Sequence, residues 1–462
     1  MRFNSRAWLV FLIFLNGYIS LSLELVVLRQ LTFFVGSSAV ITSIIMGIFL
    51  GFMSLGYFLG ASKRVRDNHI PTILGISFVI IAALAFAAGT FTLIARYFGW
   101  MYQMGIQVGA IQTFLYSGML LSIGPFLFGF NTVLLSRRLY QFNTNYTGNI
   151  MAWDTIGSVA ASMATTLLLM PFIGVNHTVM LVVALACVAA LISRLHWAIV
   201  VACIMIAIPT YWLNSDKYQI NHHGILVNNA NSTIYVGQMA DGTRVLDMNG
   251  LPMSVYNPNN GAAAEYINYI NDNFIYNLPT DRARKILILG AGGFTAGLND
   301  TFHEYTFVDI EGTLKDVSEK YFLGRRLSPN KKFIVQDASQ YLKNTPDKYD
   351  IILLDVYSNS YQVPESLITA EFLQRIRARV ADGGIVLMNM VTSPTFDDAY
   401  TRVFDNTFHA VFPHNTSRQV MGPINPWASP SVPSNVIYVY YNRENDNRIY
   451  TINKTPVIYD RY

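Results

Sequence analysis

The sequence predicts an α-helical membrane bundle of about seven spans. A small antiparallel β subdomain and a Rossmann-like α/β domain follow it. Three observations predict this. Hydrophobic residues make up 52% of the 462 and charged ones only 13%, too apolar for an ordinary soluble chain. Charge is divided unevenly: residues 1–213 hold ten Lys/Arg and three Asp/Glu, a net of +7, which leaves 22 and 25, a net of −3, for 214–462. The third observation is the stretch 285–311, KILILGAGGFTAGLNDTFHEYTFVDIE, which reads as strand, glycine turn, helix and strand. The expected domains are therefore 1–213 (transmembrane), 214–260 (β-hairpin subdomain) and 261–462 (Rossmann-like).

A membrane span needs roughly 20 mostly apolar residues. Seven stretches meet this, at about 7–28, 37–60, 71–94, 111–134, 149–170, 174–193 and 195–213. The first is too long for a signal peptide, contains Glu24 and lacks a small-residue cleavage site. Loop charges set the orientation. Arg2, Arg6, Lys63, Arg64, Arg66, Arg137, Arg138 and Arg194 fall on one side, Arg29 and Arg96 on the other. The richer side is expected to be cytoplasmic, and seven spans then put the soluble half outside the cytoplasm. Losing one span, for instance one of the last two, reverses that placement.

Two carboxylates, Glu24 and Asp154, lie inside spans, where ionisable groups are costly and usually face a bundle interior. A cation site or transport path is one reading. A structural pair, such as Glu24 with Arg29 or a neighbouring Asn, is favoured here because no inverted repeat is detectable. Gly47-x-x-x-Gly51 and Gly56-x-x-x-Gly60 suit close helix packing. Cys187 and Cys203 both sit in apolar segments, so no disulfide framework or cysteine metal site is expected.

In the soluble half, Asp241-Gly242 and Asn249-Gly250 separate short apolar runs and signal hairpins. His222 and His223 read as surface residues. Residues 261–275 show an amphipathic helical pattern. Strands are then expected to end near Gly290, Asp309, Asp337, Asp355 and Met388, with helices at 313–322, 338–343 and 366–380. Gly383-Gly384 is expected to make the turn into the fifth strand, and 398–436 reads as a last helix and loop. Such alternation implies a mainly parallel sheet that binds ligands at the carboxyl ends of its strands.

Gly290, Gly292 and Gly293 let backbone approach a ligand that side chains would block. Asp309 is placed to accept hydrogen bonds from ribose hydroxyls, and Asp337, followed by Ala338, from an adenine amino group. Asp355 is left facing the reacting end. Any one of these acids alone reads as an N-cap or loop residue; three in register after a glycine turn read as a site. A nicotinamide-dinucleotide fold competes, but Thr295 stands where the third fingerprint glycine belongs. The soluble half has no strongly basic face, so nucleic acid is not an expected partner.

These residues resemble the spermidine synthases (polyamine aminopropyltransferases) over about 230–440. The resemblance is carried by Arg244-Val245-Leu246-Asp247, ILILGAGG, VDIE, QDA, ILLDVYS and 364–372, PESLITAEF. The membrane half resembles the multi-span region fused to such domains in some bacteria, which implies a multi-pass inner-membrane protein. The resemblance implies that Asp309 binds ribose, Asp337 binds adenine and Asp355 takes the catalytic aspartate's place. It implies decarboxylated S-adenosylmethionine or S-adenosylmethionine as co-substrate, a small-molecule amine or sulfonium substrate, a lipid bilayer around the first half, and no metal. Homo-oligomerisation stays open. Tyr357 and Tyr361, in a gate loop at about 356–364, and Glu265 are candidate substrate contacts.

The chain also departs from the family. The glycine turn has Gly293 where the family carries an acid for the cofactor's amine, and Asp-Ser-Ser-Asp is replaced by Asp355-Val356-Tyr357-Ser358. The family's Tyr-His-Glu becomes Ala263-Ala264-Glu265. Aminopropyl transfer to an amine, releasing methylthioadenosine, is the leading expectation. Lyase- or cyclase-type cleavage of S-adenosylmethionine, and a transporter or sensor with a nucleoside-binding domain, are the alternatives.

Overall fold

The computed structural model describes residues 5–36, 38–62, 65–141, 147–357, 363–423 and 433–445. The chain forms two compact units: Met1–Gly237 with Asp247–Pro252, and Gln238–Leu246 with Met253–Tyr462. Residues 225–256 supply four strands, β1 (Ile225–Asn228), β2 (Thr233–Gln238), β3 (Arg244–Met248) and β4 (Leu251–Tyr256). Strands β1 and β2 pair antiparallel. Asp241-Gly242 and Asn249-Gly250 fall between strands, and Gly242, Asn249 and Gly250 take positive φ, the backbone such turns require.

The first unit is helical: α1 (Arg6–Val35), α2 (Ala39–Gly60), α3 (Ile70–Gly89), α4 (Phe91–Gln103), α5 (Gly109–Tyr116), α6 (Ile123–Tyr140), α7 (Thr147–Ala164), α8 (Met170–Ser193), α9 (Trp197–Asn214) and α10 (Asp216–His223). Five helical segments among the described residues are long and apolar enough to cross a membrane, or six if the 42° bent pair Gly109–Leu121 and Ile123–Tyr140 counts as one span. The expected spans at 149–170 and 174–193 both fall in one 46-residue segment, Gly148–Ser193. Non-helical Gly174 (φ 82°, ψ 166°) breaks it. Helix α1 is the central element, and Ile13, Ile19, Val27 and Leu31 along it are wholly buried. Glycine sets its closest crossing: a Cβ on Gly17 would lie 2.1 Å from Asp154 O, and one on Gly157 2.1 Å from Phe14 O. This is the small-residue packing that apolar helices rely on when water supplies no drive.

In the second unit, among the described residues, seven strands form one sheet. They are β5 (Lys285–Leu289), β6 (Glu304–Asp309), β7 (Lys331–Val335), β8 (Tyr349–Leu354), β9 (Val380–Thr392), β10 (Thr416–Pro423) and β11 (Ser434–Tyr441), ordered β10-β11-β9-β8-β5-β6-β7. The pairs β5/β6, β5/β8, β6/β7 and β8/β9 are parallel. The two added strands pair antiparallel, β11 on β9 and β10 on β11. Four buried residues of β5, Ile286 to Leu289, form the apolar run of a central strand covered on both faces. Helices α11 (Glu265–Ile270), α12 (Leu314–Val317), α13 (Ala338–Asn344), α14 (Ala370–Arg379) and α15 (Ala399–Val411) flank or connect the strands.

Three sequence expectations need correction. No helix follows the glycine turn: residues 290–303 are turns, because Gly290, Gly292, Phe294 and Gly297 all take positive φ. Gly383-Gly384 does not precede the fifth strand but lies inside β9, at a register shift where Gly383 has φ 74°. The loop expected over 398–436 contains strand β10, whose sequence TSRQVMGP lacks a clear apolar alternation.

Candidate active site

Parallel strands deliver backbone and side chains to one rim. Asp355, just beyond β8, donates its backbone N–H to Leu289 O on β5 (2.8 Å). This pulls the Asp355 peptide against the glycine turn. A Cβ on Gly290 (φ 92°) would lie 2.1 Å from Asp355 O, so only glycine fits there. Gly292 (φ 47°) and Gly293 lie against β4, where the Gly293 N–H donates to Ser254 Oγ (2.8 Å).

The Asp355 carboxylate is held from two sides. Oδ2 accepts from the Tyr266 hydroxyl on α11 (2.9 Å), and Oδ1 accepts from Asn389 Nδ2 on β9 (2.9 Å). Burial pushes the Asp355 carboxyl above the usual carboxylate range, against the pull of the Asn389 and Tyr266 donors. The Tyr266 phenol is raised well above its ordinary value by burial and then by the Asp355 charge, so it stays a donor. Tyr357 donates its hydroxyl to Asn389 O (2.8 Å), fixing the backbone that carries Asn389. Asn389 Oδ1 is buried with no hydrogen-bond partner, an acceptor left unused beside the carboxylate.

Asp309, at the end of β6, holds the glycine turn in shape. Its Oδ2 accepts from Ala291 N (2.8 Å) and its Oδ1 from Glu311 N (3.0 Å). Burial raises its carboxyl, although both N–H groups pull the other way. Each oxygen keeps a second lone pair, so ribose hydroxyls could still be accepted. Asp337 is exposed and caps α13, accepting from Gln340 N (2.9 Å); Ala338 is the first, buried residue of that helix. Glu265 is exposed at the start of α11, near Gly422 on β10. Tyr361 lies outside the described residues.

The structure thus gathers Gly290, Gly292, Gly293, Asp309 and Asp355, with Tyr357 bonded through its hydroxyl to the backbone of Asn389. Asp337 and Glu265 have no hydrogen bond to that group among the described residues. Sequence reasoning missed Tyr266, Asn389 and Ser254. Asn389 carried a signal, being the one polar residue in the apolar run Val386–Met390. Tyr266 follows Glu265 directly and was hidden in the helix pattern.

The fit to an adenosyl group rests on Asp309, whose two oxygens each keep a lone pair for a ribose hydroxyl, and on the unused buried acceptor Asn389 Oδ1 beside the clamped carboxylate. The glycines serve the packing of the turn itself, since Asp355 O and Ser254 Oγ stand where the Cβ atoms of Gly290 and Gly292 would lie. Gly293 has its own reason. A Cβ there would lie 2.1 Å from the Phe322 ring, so an aromatic side chain occupies the place of any acid.

Comparison with known proteins agrees with this domain. The model for the spermine/spermidine synthase domain matches residues 274–435. A polyamine aminopropyltransferase from Sulfurisphaera tokodaii is 30% identical over 161 residues, 31% of this chain and 52% of the relative. One from Aquifex aeolicus is 23% identical over 402 residues, 81% of this chain and 77% of the relative. A solved structure described as a probable spermidine synthase from Corynebacterium glutamicum shares 21% identity, with a TM-score of 0.39, over 49% of this chain and 82% of that one. The chain spans about half the length of most of the curated relatives it matches. The carboxy-terminal part of the chain, over residues 274–435, is a spermine/spermidine synthase domain.

Proposed function

We propose that the second unit is an aminopropyltransferase acting on an S-adenosyl sulfonium, with Asp355 as the base for the attacking amine. The observation that carries this is the Asp355 clamp at the rim of β8 beside the Gly290 turn. When bound, the sulfonium supplies an electrophilic carbon and a methylthioadenosine leaving group. The chain's own part is positional. Asp309 and the glycine turn hold the nucleoside, Asp337 accepts from the adenine amino group, and Asp355 takes the proton that would otherwise keep the amine from attacking. A raised carboxyl is the better proton acceptor for this task. The test is purified protein in detergent, given decarboxylated or intact S-adenosylmethionine, with and without diamines, with products read by mass spectrometry. Methylthioadenosine plus a longer polyamine, only with amine and decarboxylated donor, is the expected result.

A second reading has its own observation. Phe322 fills the place beside Gly293, so no acid there can hold the donor's terminal amine. Intact S-adenosylmethionine balances that amine with its own carboxylate, and an oxygen of that carboxylate can attack the carbon beside the sulfonium, forming a C–O bond as the C–S bond breaks and releasing a lactone and methylthioadenosine. Methylthioadenosine from S-adenosylmethionine alone would establish this lyase or cyclase reading in place of the first.

We further propose that the first unit crosses a bacterial inner membrane seven times, with the chain reversing at Gly174. Contacts inside the unit support this. Near the end of α1, Gln30 donates to Gly89 O at the end of α3 (2.9 Å) and to Asn176 Oδ1 just past Gly174 (3.3 Å). Asn214 at the end of α9 donates to Thr90 Oγ1 (3.0 Å). Arg194 and Ala190, at the other end of α8, lie beside Gly75 near the start of α3. Helix α8 therefore runs from the Gln30 end to the Gly75 end. Seven crossings and the loop charges put everything after α9 outside the cytoplasm. A phosphatase fused after Tyr462 is expected to be active in cells; activity of only a cytoplasmic reporter would reverse the orientation.

A further inference from the structure

A cavity of about 130 Å³ lies within the helical unit, between α1, α2, α6 and α7. Its polar lining is Asn16, Ser20, Glu24, Tyr57, Thr132, Asp154 and Ser158, and no Lys, Arg or His lines it. Glu24 is 6% exposed and, among the described residues, has neither a hydrogen bond nor an ion pair. The expected pairing with Arg29 does not occur: Arg29 donates instead to Asn229 O (2.7 Å) and Thr233 Oγ1 (3.1 Å). Asn16 is 2% exposed and its Oδ1 is unpartnered. Its Nδ2 is used, donating to Thr132 Oγ1 (3.0 Å), Phe128 O (3.2 Å) and Asp154 Oδ1 (3.4 Å). The cavity thus holds two carboxylates and a surplus of unused acceptors, in a place where leaving either unmet is costly.

The arrangement is elongated. Asn16, Ser20 and Glu24 stand four residues apart on one face of α1, so Glu24 is about 12 Å along the axis from the Asn16–Asp154 end. A metal ion needs ligands converging on one point. Among the described residues no three His, Cys, Asp or Glu converge so. Acceptors at two ends of an acid-lined slot, with Ser20 between, match a flexible chain bearing an ammonium at each end. We propose that this membrane-embedded cavity binds an α,ω-diammonium compound, one ammonium on Glu24 and the other on Asp154. Tyr57 and Phe49 line the same space.

This site is independent of the transferase reading, and the experiment keeps the two apart. Labelled 1,4-diaminobutane is titrated onto the full-length protein in lipid nanodiscs, with wild type, Glu24→Gln, Asp154→Asn, Ser20→Leu and Asp355→Asn compared. The expected result is a binding component that survives Asp355→Asn. Each of Glu24→Gln and Asp154→Asn should weaken it at least tenfold, and so should Ser20→Leu, which fills the middle of the slot and spares both acids. 1-Aminobutane, with one ammonium, should bind at least tenfold more weakly than the diamine. Folding of each variant is read by its thermal midpoint, which 1,4-diaminobutane should raise in wild type and Asp355→Asn only. Diamine binding unchanged in Glu24→Gln and Asp154→Asn would overturn the proposal. So would a component displaced by sodium and indifferent to the second ammonium, or one lost only in Asp355→Asn.

Discussion

Glu24 and Asp355 are both carboxylates set in largely apolar surroundings, yet the chain treats them in opposite ways. Asp355 receives a hydroxyl and an amide on its two oxygens, each at 2.9 Å, and its backbone is bonded to the neighbouring strand. Glu24 receives nothing among the described residues. The clamp makes Asp355 a group of fixed direction, suited to removing a proton from a defined place. The unmet acid suits an arriving cation, which would supply the missing partner itself. The difference teaches that burial alone does not say what an acid is for; the number and rigidity of its donors does.

The sharpest way to break the comparison is to remove the clamped acid. Asp355→Asn keeps the shape and should lower product formation by about 10²–10⁴-fold. Its thermal midpoint at neutral pH should hold or rise. The sign follows from linkage: a carboxyl raised in the folded state favours folding below its unfolded value, and that advantage is lost as pH climbs through the raised value. Asparagine removes the loss. Retained turnover in this variant would remove Asp355 from the chemistry. Gly290→Ala should be nearly as damaging by another route. Its Cβ would meet Asp355 O at 2.1 Å, and φ 92° is a strained backbone for alanine. We expect a destabilised protein with little donor binding, measured by thermal melting and equilibrium titration.

Much of this site was legible because parallel sheets put chemistry at strand ends. The apolar run 286–289, the glycines and Asp309 and Asp355 could be placed from pattern alone. The helix after the turn could not, since Phe294 takes φ 60° against the habit of a bulky residue. Strand β10 was hidden because, among the described residues, it pairs only with β11 and carries Arg418, Gln419 and Gly422. Tyr266 and Asn389 reach Asp355 across 89 and 34 residues of chain, and no local spacing encodes such contacts. Span counting met a different limit, because a single glycine at 174 interrupts what is otherwise one apolar helical segment.

Loosening the clamp should have a smaller effect than removing the acid. A hydrogen bond to a charged group contributes about 1.5–3 kcal/mol, so Tyr266→Phe should lower kcat by roughly 10–100-fold. It should also move the acid limb of the kcat/KM profile. A base must be deprotonated to act, and burial already sets that limb above the usual carboxylate range. Losing the Tyr266 donor removes one of the two bonds that favour the charged form, so the limb should shift further up in pH. An unmoved limb with reduced kcat would mean that Tyr266 only supports the fold of α11.

The smallest effect is expected at Asp337, where two roles can be separated. It is exposed and its Oδ1 accepts from Gln340 N, so part of its work is to cap α13. Asparagine caps a helix about as well as aspartate, whereas alanine costs about 0.5–2 kcal/mol. Asp337→Asn should therefore leave the thermal midpoint in place and Asp337→Ala should lower it. A neutral hydrogen bond contributes about 0.5–1.5 kcal/mol, so losing an acceptor for the adenine amino group should raise the donor KM by about 2–10-fold in both variants, with kcat little changed. A KM that stays put in Asp337→Asn would make Asp337 a cap alone. The nucleoside would then be held by Asp309 and the glycine turn, the groups that the structure gathers with Asp355.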